Sequence, residues 1–391
     1  MEAQSIAKTA KEASLYLRTL SVEKRNNILF AVAKSIRAQE AKIIEENKKD
    51  IETCGMTGSM LDRLTLTPKR IEEMAKGVEE IAAFTDPLGK VLEHRTLANG
   101  IDISRISVPL GAIFFIYESR PNVTIDGAAL CFKAGNSVIL RGGKESVHTS
   151  SFLANIFSEA VAINGAVQYI NNPDRNLLAE LLKQNKYLDL VIPRGGEGLI
   201  RTVSEQSKIP VIKHFNGICH VYIDKSADLN KAAKILFNAK VQRPSVCNAA
   251  ETVLFHKGLP KESVEQVLKP LKDAGVEIHW DKCGIEYLDL QISACFVNNV
   301  EEACEHIENY GSHHTDAIVA EDASALEYFA NNVDSSSVML NASTRFADGG
   351  QYGLGAEVGI STDKLHARGP MGVESLCSYK WLLKGNGQVR E

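Results

Sequence analysis

The sequence predicts an α/β protein with two units built on parallel sheets and a small additional β element. Short apolar segments alternate with helical ones from residue 111 to residue 223, and the same alternation resumes after Cys247. Alternation at this spacing is typical of βαβ units, whose strands are parallel. The pair Asn99-Gly100 lies between two stretches of alternating apolar and polar residues, which indicates a β-hairpin.

Composition limits the class of protein. A chain of 391 residues exceeds the usual domain length of about 100–200, so we expect two or three domains. With 44% hydrophobic and 24% charged residues it can bury several cores. A net charge of −5 gives no basic footprint for nucleic acid. The N-terminus lacks the apolar core of a signal peptide and no stretch resembles a membrane span, so we expect a cytoplasmic protein without membrane contact.

The predicted elements follow the chain. The first ninety residues have helical periodicity, with a capping start at Ser21 and a new helix at Pro68. A hairpin at 95–109 precedes strands at 113–117, 138–140, 167–170, 188–192, 211–214 and 220–223, with helices at 122–133 and 145–162. After Cys247 we expect strands at 252–255, 291–297, 317–320 and 337–340, separated by helices at 261–274, 301–310 and 323–331. A last strand at 378–383 has an edge that needs a partner.

Cys247 is the candidate nucleophile. It lies in the segment 242–251, between a helical stretch and a strand, beside small residues that let a substrate approach. Taken alone the position is ambiguous, because buried cysteines are also common as small hydrophobic residues. The eight cysteines form no CxxC pair or regular framework, which favours reduced thiols.

Polar segments follow several of the predicted strands, where open α/β sheets bind ligands. After strand 113–117, Arg120 suits an anionic substrate, and Asn122 offers an amide to an oxyanion or serves as a simple N-cap. Two glycine-containing turns, 141–144 and 193–198, also join a strand to a helix. Each is a phosphate-binding loop or a bare turn, and neither matches the GxGxxG fingerprint of ordinary dinucleotide-binding folds.

The C-terminal third contains three polar or glycine-rich segments, at 341–346, 349–355 and 366–372. They are functional loops or one long solvated stretch. No catalytic metal is expected, because His313 and His314 are adjacent and no His or Cys pair has the spacing of a zinc site.

Several strings together closely resemble the gamma-glutamyl phosphate reductase family of the aldehyde dehydrogenase superfamily. They lie at 108–111, 117–124, 133–136, 140–143, 246–249, 341–346, 353–357 and 366–372. The resemblance implies an aldehyde dehydrogenase-like fold. It also implies NADPH-dependent reduction of L-glutamyl 5-phosphate to L-glutamate 5-semialdehyde, with release of phosphate, in proline biosynthesis.

The resemblance also implies roles for individual residues. Cys247 forms a thioacyl intermediate, and Asn122 with the backbone N–H of Cys247 stabilises the oxyanion. The residues implied to bind NADPH are Arg141, Gly142, Lys144, Gly195, Gly196 and Glu286. The residues implied to bind the substrate are Arg120, Ser343, Thr344, Arg345 and Arg368, and which arginine meets which anion stays open.

We divide the chain on this basis into three parts. Residues 1–94 and 110–218 form an NADPH-binding domain and residues 219–355 a catalytic domain. The hairpin 95–109 and the C-terminal segment 356–391 form an oligomerisation element, from which we expect a homo-oligomer, a dimer or a tetramer. An association with glutamate 5-kinase, which makes the acyl phosphate, stays open.

Two departures bear on these expectations. Hydrolytic aldehyde dehydrogenases carry a water-activating glutamate where this chain has Lys213-His214-Phe215-Asn216-Gly217, so a thioester here should resist hydrolysis. The segment between Glu251 and Glu286 is short and contains an unfamiliar Trp280-Asp281-Lys282-Cys283, which leaves the loop near Glu286 unpredicted. Two alternatives are an NAD(P)-dependent aldehyde dehydrogenase acting on a related semialdehyde and a catalytically silent binding module.

Overall fold

A computed structural model describes residues 1–390 and divides them into two compact units. Unit 1 consists of Met1–Lys213, Leu354–Gly359 and the residues from Met371 onward. Unit 2 consists of His214–Gly353 and Ile360–Pro370. None of the helices in the described part of the chain is both long enough and apolar enough to cross a bilayer.

Unit 1 begins with five helices, as the periodicity of the first ninety residues predicts. They are α1 (Glu2–Leu17), α2 (Val22–Ala38), α3 (Glu40–Thr53), α4 (Gly58–Leu64) and α5 (Pro68–Ala83). The hydroxyl of Ser21 caps α2 by accepting a hydrogen bond from the Lys24 N–H at 3.3 Å. Helix α5 starts at Pro68, whose missing N–H costs nothing in a first turn. The predicted helix starts are therefore confirmed.

The predicted hairpin and C-terminal strand form one antiparallel sheet in unit 1. Strand β1 (Val91–Thr96) pairs with β2 (Asp102–Pro109), and β2 pairs along its length with the last strand, β15 (Cys377–Lys384). Strand β15 is an edge strand, and Tyr379, Trp381 and Leu383 on it are exposed.

A four-stranded parallel sheet forms the core of unit 1, in the order β5-β4-β3-β6. Its strands are β3 (Ala112–Tyr117), β4 (Ser137–Arg141), β5 (Val167–Tyr169) and β6 (Leu190–Arg194), connected by α6 (Pro121–Lys133), α7 (Val147–Val161) and α8 (Arg175–Leu181) and followed by α9 (Glu197–Gln206). All six residues of β3 are buried, as expected for a strand covered on both faces. Phe114, Ile116, Ile139 and Val191 belong to one hydrophobic cluster here.

The strand predicted at 211–214 is wrong. Val211 makes only an isolated parallel bridge to Val191. Two hydrogen bonds support it, from the Val191 N–H to the Pro210 carbonyl at 2.9 Å and from the Ile212 N–H to the Val191 carbonyl at 3.0 Å. The apolar stretch ends at Ile212. The next residues, Lys213 and His214, are polar and do not continue a buried strand.

Unit 2 is built on a six-stranded parallel sheet in the order β12-β11-β7-β8-β10-β9. Its strands are β7 (Cys219–Ile223), β8 (Ala250–His256), β9 (Glu277–Trp280), β10 (Gln291–Val297), β11 (Thr315–Val319) and β12 (Ser337–Leu340). Its helices are α10 (Leu229–Val241), α11 (Lys261–Asp273), α12 (Val300–Tyr310) and α13 (Ala323–Asn332). Two short strands, β13 (Gly359–Ser361) and β14 (Gly369–Met371), pair separately.

Candidate active site

Cys247 lies in a turn between two elements of unit 2, as predicted. Helix α10 ends at Val241 and strand β8 begins at Ala250, so residues 242–249 form a short loop. The Ala249 N–H donates to the Val246 carbonyl at 3.0 Å and closes a turn around Cys247, which is half-buried. The thiol of Cys219 donates to the Cys247 carbonyl at 3.2 Å, so the first residue of β7 also supports the loop.

Gly217 packs directly against the backbone of Cys247. A Cβ atom at Gly217 would lie 1.9 Å from the Cys247 carbonyl oxygen and 2.4 Å from its Cα. Backbone atoms cannot move aside cheaply, so a side chain at Gly217 would displace the loop. The glycine at the end of the segment 213–217 therefore allows the loop to occupy its position.

A buried ion pair joins the two ends of the loop. The ammonium of Lys240, in the last turn of α10, lies 2.7 Å from the carboxylate of Glu251, in β8, and both side chains are fully buried. Burial is the largest influence on both groups: it lowers the pKa of Lys240 and raises the pKa of Glu251 to about 6. The pair holds α10 and β8 together on either side of Cys247.

Glu286 contacts the same region of unit 2. Its Oε1 accepts a hydrogen bond from the Gly217 N–H at 2.7 Å. Two residues further on, the Leu288 N–H donates to Glu251 at 3.2 Å. Residues 213–217 contain no carboxylate of their own. The fold nevertheless places the carboxylate of Glu286, from the stretch before β10, against Gly217, the last residue of that segment.

The segment after β12 is also hydrogen-bonded to the Cys247 loop. The Thr344 hydroxyl donates to the carbonyl of Asn248 at 2.7 Å, and the Asn248 amide donates to the carbonyl of Ala347 at 2.9 Å. Ser343 caps the short helix Thr344–Phe346. Three residues predicted to bind the substrate, Ser343, Thr344 and Arg345, thus belong to a segment in direct contact with the Cys247 loop.

Arg345 carries the positive charge of this segment. Its Nε donates to the side-chain oxygen of Gln242, at the start of the loop, at 2.7 Å. Burial lowers the pKa of Arg345, and the charge of Arg243 lowers it further. The positive charges of Arg243 and Arg345 therefore repel one another. A bound anion would reduce this repulsion. Sequence reasoning did not single out Arg243, although the residue lies four positions before Cys247.

Arg368 has a partner of its own in unit 2. Its Nη1 lies 2.6 Å from the Asp334 carboxylate, and its Nη2 donates to the Asp334 carbonyl at 2.7 Å. The Lys364 ammonium and Arg368 together lower the pKa of Asp334. Both terminal nitrogens of Arg368 are thus engaged within the protein, and its role toward substrate stays a prediction.

His314 is a neutral buried imidazole near the loop. It is fully buried immediately before β11, and burial lowers its pKa to about 3. Its Nδ1 forms a hydrogen bond with the Thr315 hydroxyl at 2.9 Å and lies 3.9 Å from the Cys219 sulfur. His314 therefore packs as an uncharged side chain behind Cys219.

In unit 1, loops after three neighbouring strands meet at the carboxyl edge of the sheet. The Gly196 N–H, after β6, donates to Glu118, after β3, at 2.8 Å. The hydroxyl of Ser119 donates to Glu145, after β4, at 2.6 Å. The two glycine-containing turns predicted from sequence are thus brought together at this edge.

A cleft of about 840 Å³ opens beside these loops. Its lining includes Arg141, Gly142, Lys144 and Arg175, which give it a positive character. The Arg141 guanidinium donates to the Pro173 carbonyl at 3.0 Å, whereas its buried Nε has no hydrogen-bond partner among the described residues. Three glycines and three cations around a cleft fit an anionic ligand that carries phosphate groups.

Asn122 is the second residue of α6, whose N-cap is Arg120. The alternative that Asn122 is a simple N-cap is therefore wrong. Its amide donates to Asp126 at 3.0 Å, one helical turn along. Burial raises the pKa of Asp126 to about 6, with the Asn122 amide opposing the shift. Asp126 thus fixes the orientation of the amide.

Comparison with known proteins agrees with this architecture. Residues 1–283 match the model of the aldehyde dehydrogenase family. Gamma-glutamyl phosphate reductase of Idiomarina loihiensis is 47% identical, with 100% of this chain and 99% of that protein covered. The reductase of Thermodesulfovibrio yellowstonii is 45% identical, with 98% of each chain covered.

The decisive likeness is to a solved structure. Gamma-glutamyl phosphate reductase from Thermotoga maritima superposes with a TM-score of 0.97 at 39% identity, over 100% of both chains. The chain belongs to the gamma-glutamyl phosphate reductase family. The predicted family and the aldehyde dehydrogenase-like fold class are thereby confirmed. An acetylating aldehyde dehydrogenase from Geobacillus thermoglucosidasius shares the fold more distantly, with a TM-score of 0.69 at 18% identity.

Proposed function

We propose that the protein reduces L-glutamyl 5-phosphate to L-glutamate 5-semialdehyde with NADPH and releases phosphate, a step of proline biosynthesis. The observation that carries the proposal is the full-length likeness to reductases of this name, at 45–47% identity in two bacteria. The arrangement around Cys247 supports it, because two neighbouring segments contact the loop that presents the thiol.

The chemistry begins at the sulfur of Cys247. Its thiolate attacks the acyl carbon, the bond from that carbon to the phosphate oxygen breaks, and inorganic phosphate leaves. The enzyme is left acylated on sulfur. After the acyl carbon is reduced, the carbon–sulfur bond breaks, the thiolate is regenerated and the aldehyde departs. The Cys247 backbone N–H and the Asn122 amide are the proposed donors to the oxyanion in both steps.

The cleft of unit 1 fits a phosphorylated nicotinamide cofactor. Members of the aldehyde dehydrogenase family use nicotinamide cofactors, which supply the hydride when bound. We assign Arg141, Gly142 and Lys144 to phosphate contacts, because they line the positive part of the cleft. The guanidinium of Arg141 lines the cleft, and its charge suits the additional phosphate that distinguishes NADPH from NADH. Gly195, Gly196 and Glu286 are the remaining proposed cofactor contacts.

Substrate binding is assigned to cations and hydroxyls. L-Glutamyl 5-phosphate carries a carboxylate at one end and a phosphate at the other, so it needs at least two positive partners. Arg243 lies within the Cys247 loop and Arg345 lies beside it, and both suit the anion nearest the reacting carbon. Ser343 and Thr344 belong to the same segment. Arg120 and Arg368 complete the proposed set.

The proposed organisation keeps the three parts expected from sequence. Residues 1–94 and 110–218 bind the cofactor, 219–355 carry the chemistry, and 95–109 with 356–391 mediate assembly. The exposed edge of β15, with Tyr379 and Trp381, is the proposed contact of a homo-oligomer. We place the enzyme in the cytoplasm, where an association with glutamate 5-kinase would protect the labile acyl phosphate.

Thiol labelling tests the nucleophile and separates the enzyme from a silent binding module. A nucleophilic Cys247 should alkylate before Cys54, a half-buried thiol of unit 1, and substrate should protect Cys247. Cys247→Ala should abolish reduction and leave NADPH binding intact, whereas Cys54→Ala should retain both. Turnover near the parent rate in Cys247→Ala would overturn the assignment.

A further inference from the structure

Unit 2 contains a cluster of soft metal-binding groups that the proposed reaction does not use. Cys283 follows β9, Cys295 lies within β10 and His306 lies on α12. One ligand atom from each lies within 4.8 Å of the others. The cluster includes Cys283, the last residue of the segment that is unfamiliar for the family.

Two of the three distances between ligand atoms are close to those of a metal site, and the third, between the Cys295 sulfur and a ring nitrogen of His306, is within 4.8 Å. The sulfurs of Cys283 and Cys295 are 3.6 Å apart, and the Cys283 sulfur is 3.3 Å from Nε2 of His306. Tetrahedral zinc, with bonds of about 2.3 Å to sulfur and 2.0–2.1 Å to nitrogen, places two sulfurs about 3.8 Å apart and sulfur and nitrogen about 3.6 Å apart. Adjustments of a few tenths of an ångström bring both pairs to these values.

The cluster is largely shielded from solvent and offers two sulfurs and one ring nitrogen to a cation. Cys295 is buried, and Cys283 and His306 are half-buried. The Nε2 atom of His306 lies 3.3 Å from the Cys283 sulfur, and a ring nitrogen of this kind is a common metal ligand. The segment around Cys283 includes two residues in the left-handed region, Asp281 at φ 57° and Gly284 at φ 69°. This bend positions Cys283 toward β10.

We propose that Cys283, Cys295 and His306 form a binding site for Zn²⁺, with a water molecule from the accessible side of Cys283 as the fourth ligand. Two sulfurs and one nitrogen are the donors that zinc prefers over magnesium or calcium. On binding, each thiol gives its proton to the buffer, so up to two protons are released per ion. The site is independent of the proposed reductase reaction.

The consequence for the fold follows from the position of the ligands. Cys283 is three residues before Glu286, whose carboxylate binds the Gly217 N–H at 2.7 Å. A bound ion would attach the segment between β9 and β10 to α12, and so stabilise the region from which Glu286 reaches Gly217.

Cobalt substitution tests the site in the full-length protein. Stripped of metal, the wild type should bind one equivalent of Co²⁺ with a thiolate-to-cobalt charge-transfer band, and one equivalent of Zn²⁺ should remove it. Cys283→Ser, Cys295→Ser and His306→Gln should each weaken binding by at least about tenfold. The matched control is Cys304→Ser, on the same helix as His306 but outside the cluster. Cys247→Ser should also retain the band.

Thermal unfolding is the second measurement. Zn²⁺ should raise the Tm of the wild type and of Cys304→Ser and should leave Cys283→Ser unchanged, since only a site in the native state couples binding to stability. If Cys283→Ser does not fold, His306→Gln provides the same comparison. Absence of a thiolate band in the wild type would overturn the proposal. A band lost in Cys247→Ser and kept in Cys283→Ser would equally overturn it, because the metal would then be bound elsewhere.

Discussion

The ammonium of Lys240 lies 2.7 Å from the carboxylate of Glu251, and neither side chain is exposed to solvent. Lys240 is one residue before the end of α10, and Glu251 is the second residue of β8. The two residues therefore join both ends of the loop that carries Cys247. Glu251 also accepts the Leu288 N–H, which connects this pair to the segment that carries Glu286.

Breaking this pair should destabilise the protein more than replacing it. Lys240→Met leaves a buried carboxylate without its partner, and we expect the free energy of unfolding to fall by about 3–5 kcal/mol. The double variant Lys240→Met/Glu251→Gln removes both charges and keeps an acceptor for the Leu288 N–H, so it should recover part of the loss. Urea unfolding followed by tryptophan fluorescence in a Trp381→Phe background, in which Trp280 is the remaining tryptophan, reports on unit 2. A double variant less stable than the single one would contradict this explanation.

Gly217→Ala should reduce activity strongly without unfolding the protein. The new Cβ would overlap the Cys247 carbonyl, at 1.9 Å, and displace Cys247, the proposed nucleophile. A misplacement of about 1 Å at a reacting group costs about 10²-fold in rate, so kcat should fall by that order. Gly77→Ala is the matched control, because the new Cβ in α5 meets nothing within 4 Å. It should keep full activity and gain up to about 1 kcal/mol of stability. Equal kcat in both variants would refute the role of Gly217.

Arg141 should distinguish NADPH from NADH. Because a charged hydrogen bond contributes about 1.5–3 kcal/mol, Arg141→Gln should raise the KM for NADPH about tenfold or more and change the KM for NADH little. Steady-state kinetics with both cofactors provide the comparison. Lys183→Gln is a suitable control, since this exposed cation pairs with Glu180 away from the cleft. An equal rise in both KM values would mean that Arg141 does not contact the 2′-phosphate.

His314 should contribute to the loss of stability in acid. Burial lowers its pKa to about 3, from an ordinary value of 6.5, so the unfolded chain binds a proton that the native imidazole does not. Its stabilisation is present above pH 6.5 and is lost as pH falls toward 3. Over that interval one proton corresponds to about 1.4 kcal/mol per pH unit. His314→Asn should reduce the slope of unfolding free energy against pH by about that amount, as measured by urea titrations at successive pH values. An unchanged slope would contradict a neutral buried His314.

Sequence predicts the fold well where burial is complete. Strand β3 is apolar throughout because both faces of a parallel strand are covered, so its pattern is visible without any structure. Strand β9, Glu277–Trp280, was not predicted, because an edge strand with exposed ends has no continuous apolar run. The strand predicted at 211–214 is wrong for the opposite reason. Val211 and Ile212 are apolar and resemble part of a strand, but the segment forms only one isolated bridge.

The candidate site is predicted only where local sequence is sufficient. Cys247 at a helix-to-strand junction and the glycine turns at strand ends follow from short motifs. The contact between Gly217 and Cys247 and the cluster of Cys283 with His306 depend on residues far apart in the chain. Such contacts arise from the order of strands in the sheet, which no local pattern specifies.

The most direct test of the proposed reaction runs it in reverse, because the acyl phosphate is too labile to supply easily. Enzyme, NADP⁺ and glutamate 5-semialdehyde are mixed with and without inorganic phosphate, and NADPH formation is followed by absorbance. The proposed mechanism predicts that turnover depends strictly on phosphate, which must attack the thioester on Cys247. Oxidation at the same rate without phosphate would mean that water cleaves the thioester and would contradict the assignment as an acyl-phosphate reductase.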